Sequence, residues 1–230
     1  MTTRSGADVP VLVRRFLERA LPAERSVPRR VRVVQVGEMW QKPGGRPLRF
    51  SAVEEFSVDE VAFSWRARFR LAPLVSLRVL DRYAAGQGLL DARLFGLVPV
   101  MRQRGPETDQ GEAMRYLAEL AWIPQAMRAN PQLEWREVDP QTVEVATRVG
   151  SARVAVALEF DAAGDIVRAS TERPHFEGRK RVRRPWVGSF SEYDTVGGVH
   201  IPTRGEVRWD LPEGPFTYWR GTITSLEPSA

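Results

Sequence analysis

Val9, Leu12, Val13, Phe16, Leu17, Ala20 and Leu21 recur at helical spacing, with Arg14, Arg15, Glu18 and Arg19 between them. The spacing predicts an amphipathic helix over 8–21, capped by Asp8 and stopped by Pro22. From Val31 onward the period changes to two. Val61, Phe63, Trp65, Ala67, Phe69 and Leu71 alternate with Ala62, Ser64, Arg66, Arg68 and Arg70. That is a strand with one apolar and one wet face. Val75, Leu77, Val79, Asp81 and Tyr83 share a face of the next strand. Further strands are predicted over 142–149, 153–160 and 166–171, and near 186–193, 199–209 and 216–226. Asp161-Ala-Ala-Gly164, Gly197-Gly198 and Pro212-Glu-Gly-Pro215 mark turns between them. The chain also turns around Pro43-Gly-Gly45 and Gly105-Pro106. One helical stretch interrupts the strands, EAMRYLAELAWIPQAM over 112–127.

These elements predict a single α+β domain over 1–230, without repeat or linker. A large, mostly antiparallel sheet accompanies two main helices. About ten strands in one sheet must curl, so the expected shape is a half-barrel or open barrel wrapped around the helices. A chain of 230 residues, 43% of them hydrophobic, is long enough for a sizeable core. It has no Cys, which removes disulfides, thiolate metal sites, iron–sulfur clusters and Cys nucleophiles together. Two histidines, His175 and His200, leave little room for a His-based metal site and read as surface residues. No window approaches the ~18 apolar residues of a membrane span. The opening MTTRSGADVP has no apolar signal core, so a cytoplasmic location is expected.

The net charge is +5, and all but Lys42 and Lys180 of the 34 cations are Arg. Five cations fall in Arg179–Arg184 (RKRVRR), and without them the chain is near neutral. This reads as one basic, solvated loop and not as a nucleic-acid face. No GxSxG, phosphate loop, dinucleotide GxGxxG or HExxH occurs, so neither cofactor nor metal is expected.

On the central helix, at ~100° per residue, Glu112, Arg115 and Glu119 fall within roughly 60° of one another. Tyr116 and Ile123 flank this stripe on one side and Trp122 on the other. It is either a solvated face with Glu112–Arg115 and Arg115–Glu119 pairs, or a charged triad turned into the concave side of the sheet. There a carboxylate is desolvated and acts as acid or base. Asp81 and Tyr83 lie on the apolar face of their strand, and an inward Asp requires a partner, an Arg above all. Of seven tryptophans, Trp65, Trp122, Trp186 and Trp209 are candidates to line a pocket for an apolar or flat ligand.

The segment from Gly111 to Pro124, GEAMRYLAELAWIP, resembles the GE..RYL.E..W.P signature of a family of uncharacterised bacterial proteins common in actinobacteria. Flanking pieces agree: Asp81-Arg-Tyr83, Gly86-Gln-Gly88, Trp135 before Val138-Asp139, Phe160-Asp-x-x-Gly164 and Arg173. So do Trp186-x-Gly188, Tyr193, Gly198, Ile201-Pro202, Gly205-Glu206-Val207 and Trp209. The family is similar in expected shape to lipoprotein-carrier half-barrels of the LolA/LolB type, which hold an acyl chain. The resemblance implies a fold more than an activity. A lipobox Cys and a signal peptide are missing, which speaks against periplasmic lipoprotein transport.

Two readings follow. The first is a cytoplasmic protein that binds a hydrophobic small molecule, lipid or polyketide-like, between the curled sheet and the 112–127 helix. Tyr83, Tyr116, Trp65, Trp122, Trp186 and Trp209 line that cavity, and Arg115 orients the polar end. The second is a cofactor-free cyclase, isomerase or hydrolase in the same cavity. Glu112 or Glu119 is then the acid/base, Arg115 holds an oxyanion, and Asp81 or Tyr83 assists.

Overall fold

The computed structural model describes residues 9–22, 27–177 and 180–229. A short helix, α1 (Val11–Ala20), precedes six strands: β1 (Arg30–Met39), β2 (Leu48–Ser57), β3 (Phe63–Ala72), β4 (Val75–Ala84), β5 (Gln87–Leu94) and β6 (Val98–Gln103). A helical segment follows, α2 (Pro106–Ala118), a 3-10 turn (Glu119–Trp122) and α3 (Pro124–Ala129). Seven strands complete the fold: β7 (Glu134–Asp139), β8 (Thr142–Val149), β9 (Ala152–Phe160), β10 (Ile166–Glu177), β11 (Lys180–Val196), β12 (Val199–Leu211) and β13 (Gly214–Ser229).

Two antiparallel meanders, β1–β6 and β7–β13, are joined by the pairing of β1 with β13 into one 13-stranded sheet. β6 and β7 are its two edges and do not pair, so the sheet stays open. It curls far enough that α2 touches β4 and β5 from one half and β8, β9 and β10 from the other. The large antiparallel sheet expected is present, but the fold is mostly sheet more than α+β, and its 13 strands exceed the ten anticipated. The alternation expected along 61–71 holds from Phe63 to Arg70, with Phe63, Trp65, Ala67 and Phe69 buried and Arg66, Arg68 and Arg70 exposed, but it fails at the ends, where Ala62 is buried and Leu71 is exposed.

Three sequence expectations change. The first helix begins at Val11 behind Pro10, and the proposed Asp8 cap lies outside the described residues. The 112–127 helix starts earlier, with Pro106 at its first turn, and breaks twice. Its regular part ends at Ala118, and Ile123 leaves the helical region (φ −131°, ψ 60°) ahead of Pro124, as a residue before proline does. The basic run is no loop from Lys180 on. It opens β11, with Val182 opposite His175 and Arg184 opposite Arg173, because the β10–β11 pairing runs far past the predicted strand ends. Arg179 itself lies outside the described residues.

On the inner face Gly37, Gly221 and Gly205 stand side by side across β1, β13 and β12. Without side chains there, Trp219 stacks on Phe50 (5.9 Å) and meets Trp122 (6.1 Å), which in turn meets Phe190 edge-on (5.6 Å). A Cβ on Gly37 would run into the Arg220 carbonyl oxygen and the Phe50 ring. Gly37→Ala is therefore expected to cost about 2–3 kcal/mol by overpacking, read as a lowered urea midpoint with unchanged slope.

Candidate functional site

The stripe on α2 faces inward. Arg115 sits under β1–β4 with all three guanidinium nitrogens engaged. Nη2 donates to Glu54 Oε1 (2.8 Å), Nη1 to Asp81 Oδ2 (2.6 Å) and Nε to Glu119 Oε1 (2.8 Å). Its Cζ lies 4.9 Å from the Phe63 ring centre and 5.2 Å from that of Trp65. Period two puts Glu54 on the same face of β2 as Phe50, Ala52 and Phe56, and Asp81 on the same face of β4 as Tyr83. Glu54 is fully buried and also accepts from Gln35 Nε2 (2.7 Å), whose Oε1 accepts from Trp65 Nε1 (3.0 Å). Gln35 follows a register shift in the β1–β13 pairing.

Glu112 is not paired with Arg115 as the helix spacing alone implied. It pairs instead with Arg173 of β10, Nη2 to Oε1 at 3.8 Å, and the Asp81 carboxyl lies close to it. Gly111 leaves room for the Arg173 guanidinium against the helix. Glu54, Asp81, Glu112 and Glu119 together face Arg115 and Arg173, so full ionisation would leave two uncompensated buried charges. Protons resolve this. Burial pushes the Glu112 carboxyl up to about 8, and Asp81 adds to the shift against the pull of Arg173 and Arg115. Burial also holds Glu54 well above the usual carboxylate range, reinforced by Glu119 and opposed by Arg115. Glu119 is raised by burial too. Asp81 Oδ1, Glu112 Oε2 and Glu119 Oε2 are buried without a hydrogen-bond partner.

Arg173 continues the site along the inner face. Its Cζ lies 4.8 Å from the Trp186 ring, and Trp186 Nε1 donates to the Tyr218 hydroxyl (3.0 Å). Tyr218 stacks on Trp209 (6.4 Å), and the His175 ring meets Trp209 at a steep tilt (4.7 Å). Trp209, Tyr218 and His175 are half-buried, and His175 Nδ1 is buried without a partner. The structure thus joins Glu112, Arg115, Glu119 and Asp81 in one cluster and brings Trp186 and Trp209 beside it. Trp65, Trp122 and Tyr116 are instead core residues with committed polar groups. Trp122 Nε1 donates to the Pro202 carbonyl (3.1 Å), and Tyr116 bonds the Ser57 carbonyl (2.8 Å) and Asn130 (3.1 Å). Tyr83 is separate, in the wall of a cavity of ≈430 Å³ with Glu60, Gln132 and Thr147. His200 is no free surface group: Nε2 lies 3.1 Å from Asp165 Oδ1, which also pairs with Arg19 of α1.

Where α2 meets the sheet, Met114, Tyr116, Leu117 and Leu120 are buried in the core. Neither the ≈430 Å³ cavity nor an outer groove of ≈740 Å³ has Glu112, Arg115 or Glu119 in its wall. Sequence reasoning missed Glu54, Gln35 and Tyr218. For Glu54 a signal existed, a carboxylate at an apolar-face position of β2. Among the described residues no group of three or more His, Asp or Glu is arranged to hold a metal ion, and no helix is long and apolar enough to cross a membrane.

Fold and cluster define an open, mostly antiparallel half-barrel curled around one helical segment whose arginine is buried among carboxylates. The chain belongs to the family of unknown function DUF6544, whose profile matches residues 1–221. Among solved structures it is similar to a DUF1329 family protein from Desulfovibrio piger, at 14% identity and TM-score 0.49 over 89% of this chain and 88% of that one. It is also similar to a LolA superfamily protein from Nitrosomonas europaea, at 13% identity and TM-score 0.44 over 95% and 92%. No curated protein matches significantly.

Two outcomes follow from the cluster. Arg115→Met strands several buried carboxylates at once and is expected to cost about 3–5 kcal/mol in urea unfolding. For Glu112, between its ordinary value of 4.5 and about 8 the folded chain keeps a proton that the unfolded chain has lost. Stability therefore falls as pH rises through that window and levels above it, by up to about 1.4 kcal/mol per unit of separation. Glu112→Gln, neutral at every pH, is expected to flatten this slope between pH 5 and 8.5.

Proposed function

We propose that the protein binds a hydrophobic small molecule, lipid or polyketide-like, at the inner-face aromatic row of His175, Trp209 and Tyr218. The observation that carries this is that these rings stay half-buried on the inner face, backed by Trp186, next to the partly buried Arg173. Such rings offer flat apolar area at low entropic cost. Arg173 and His175 Nδ1 supply polar groups for one end of the ligand. Arg115 does not take that part, because its three nitrogens already serve Glu54, Asp81 and Glu119.

The test uses the neutral fluorescent probe N-phenyl-1-naphthylamine, with native mass spectrometry of the purified protein to detect a retained ligand. Saturable micromolar binding is expected, at least fivefold weaker in Trp209→Ala with an unchanged melting temperature. Equal binding by that variant rejects the row as the site.

One observation favours a second reading, cofactor-free acid–base catalysis in the same place. Glu112 holds its proton near neutral pH, and its Oε2 has no partner. A carboxylic acid beside a guanidinium is equipped to protonate a bound carbonyl or alkene. A retained ligand that is converted by the wild type, and bound but not converted by Glu112→Gln, identifies this activity.

A further inference from the structure

The outer face of the sheet carries a different chemistry. On alternate positions to Trp65, Ala67 and Phe69, Arg68 of β3 stands directly opposite Arg78 of β4, and Arg78 directly opposite Arg93 of β5. Antiparallel neighbours lie about 5 Å apart, so three cations stack in one row, an arrangement that repels in the absence of an anion. Arg93 is answered by Asp91 (Nε to Oδ2, 3.0 Å). Among the described residues the side chains of Arg68 and Arg78 have no ion-pair or hydrogen-bond partner. Arg78 is positioned all the same, its Cδ lying against Gly96 where a Cβ would collide with it.

The row borders the ≈740 Å³ groove, whose apolar floor is Val34, Val53 and Leu80. At Gly96 the groove reaches the β5–β6 turn, where Leu97 is 78% exposed, and Leu74 in the neighbouring β3–β4 turn is 91% exposed. The two turns adjoin through Phe95 N–H donating to the Ser76 carbonyl (2.8 Å). Over 66–104 the chain has eight Arg against two Asp, more positive than the whole protein at +5. Asp91 adds an acceptor, because its Oδ1 is buried and unpartnered.

We propose that this groove is a binding site for an anionic amphiphile. A phosphate or carboxylate head lies across Arg68 and Arg78, a head-group hydroxyl reaches Asp91, and the aliphatic chain runs over Val53 and Leu80 toward Leu74 and Leu97. The groove wall holds no aromatic ring on which a nucleic-acid base could stack. A second copy of the chain on this face would set one arginine row against another. The site lies on the opposite side of the sheet from the aromatic row and stands independently of the function proposed there.

The test is calorimetric titration with dodecyl phosphate below its micelle concentration, against dodecyl maltoside, inorganic phosphate and phosphatidylglycerol vesicles. Dodecyl phosphate is expected to bind at least tenfold tighter than the maltoside or phosphate alone. Arg68→Gln/Arg78→Gln is expected to weaken it at least tenfold while melting, ligand-free, at or above the wild-type temperature, since the repelling row is gone. Trp209→Ala is expected to leave it unchanged, which separates this site from the inner one. Should the double variant misfold, Arg78→Gln alone serves, with at least a threefold loss expected. Equal affinity for the maltoside, equal affinity for phosphate, an unaffected arginine variant, or binding of vesicles without binding of the monomer each overturns the proposal.

Discussion

One guanidinium organises the interior. Arg115 is brought by α2, Glu54 by β2, Asp81 by β4, Glu119 by the turn that ends α2, and the rings beneath it by β3. Apolar contacts between a helix and a curled sheet tolerate sliding, whereas a buried ion accepts one alignment, because every displaced nitrogen or carboxylate loses its partner where water cannot replace it. Desolvation consumes much of the attraction in such a cluster, so its contribution lies more in alignment than in net stability. The half-barrel curls around α2 at this point, and the glycine row on β1, β13 and β12 lets the aromatic rings close in alongside.

Local regularities were legible in the chain, and pairings across it were not. Alternation located Phe63, Trp65 and Asp81 on a common face, and the need of an inward Asp for an Arg anticipated what Arg115 does. Glu54 followed the same rule, with Phe50 and Phe56 to either side, and was readable in principle. That Glu112 turns to Arg173 and not to Arg115 depends on where β10 lies against α2, some sixty residues away in sequence. Helical periodicity carried the 112–127 element through Glu119 and Pro124, where backbone geometry breaks it. Periodicity is blind to a turn that keeps the same residues buried. The basic run looked like a loop because charge masks alternation, and the long β10–β11 ladder absorbed it from Lys180 on.

Charge is sorted by face in this sheet. Inside, carboxylates outnumber guanidiniums and protons make up the difference. Outside, over β3–β5, arginines face one another across the ladder, and two of them have no ion-pair partner among the described residues. The near balance of the whole sequence hides both excesses. A sheet separates its two faces by the thickness of the backbone and the side chains standing on it, so each can hold an imbalance that water and ions treat differently. The inner one is met by protons on buried carboxyls, and the outer one faces solvent.

Glu112 connects the polar cluster to the aromatic row, because Arg173 touches both. At neutral pH this carboxyl sits within reach of titration, unlike an ordinary glutamate. A ligand whose acidic end settles on Arg173 competes with Glu112 for the same guanidinium and removes the attraction that holds the carboxyl down. Glu112 then grips its proton more tightly, and binding takes up protons from solution. A ligand with a neutral head leaves Arg173 to Glu112 and moves no proton. The proton count on binding therefore reports the charge of the ligand's head, since one arginine cannot neutralise two carboxylates at once.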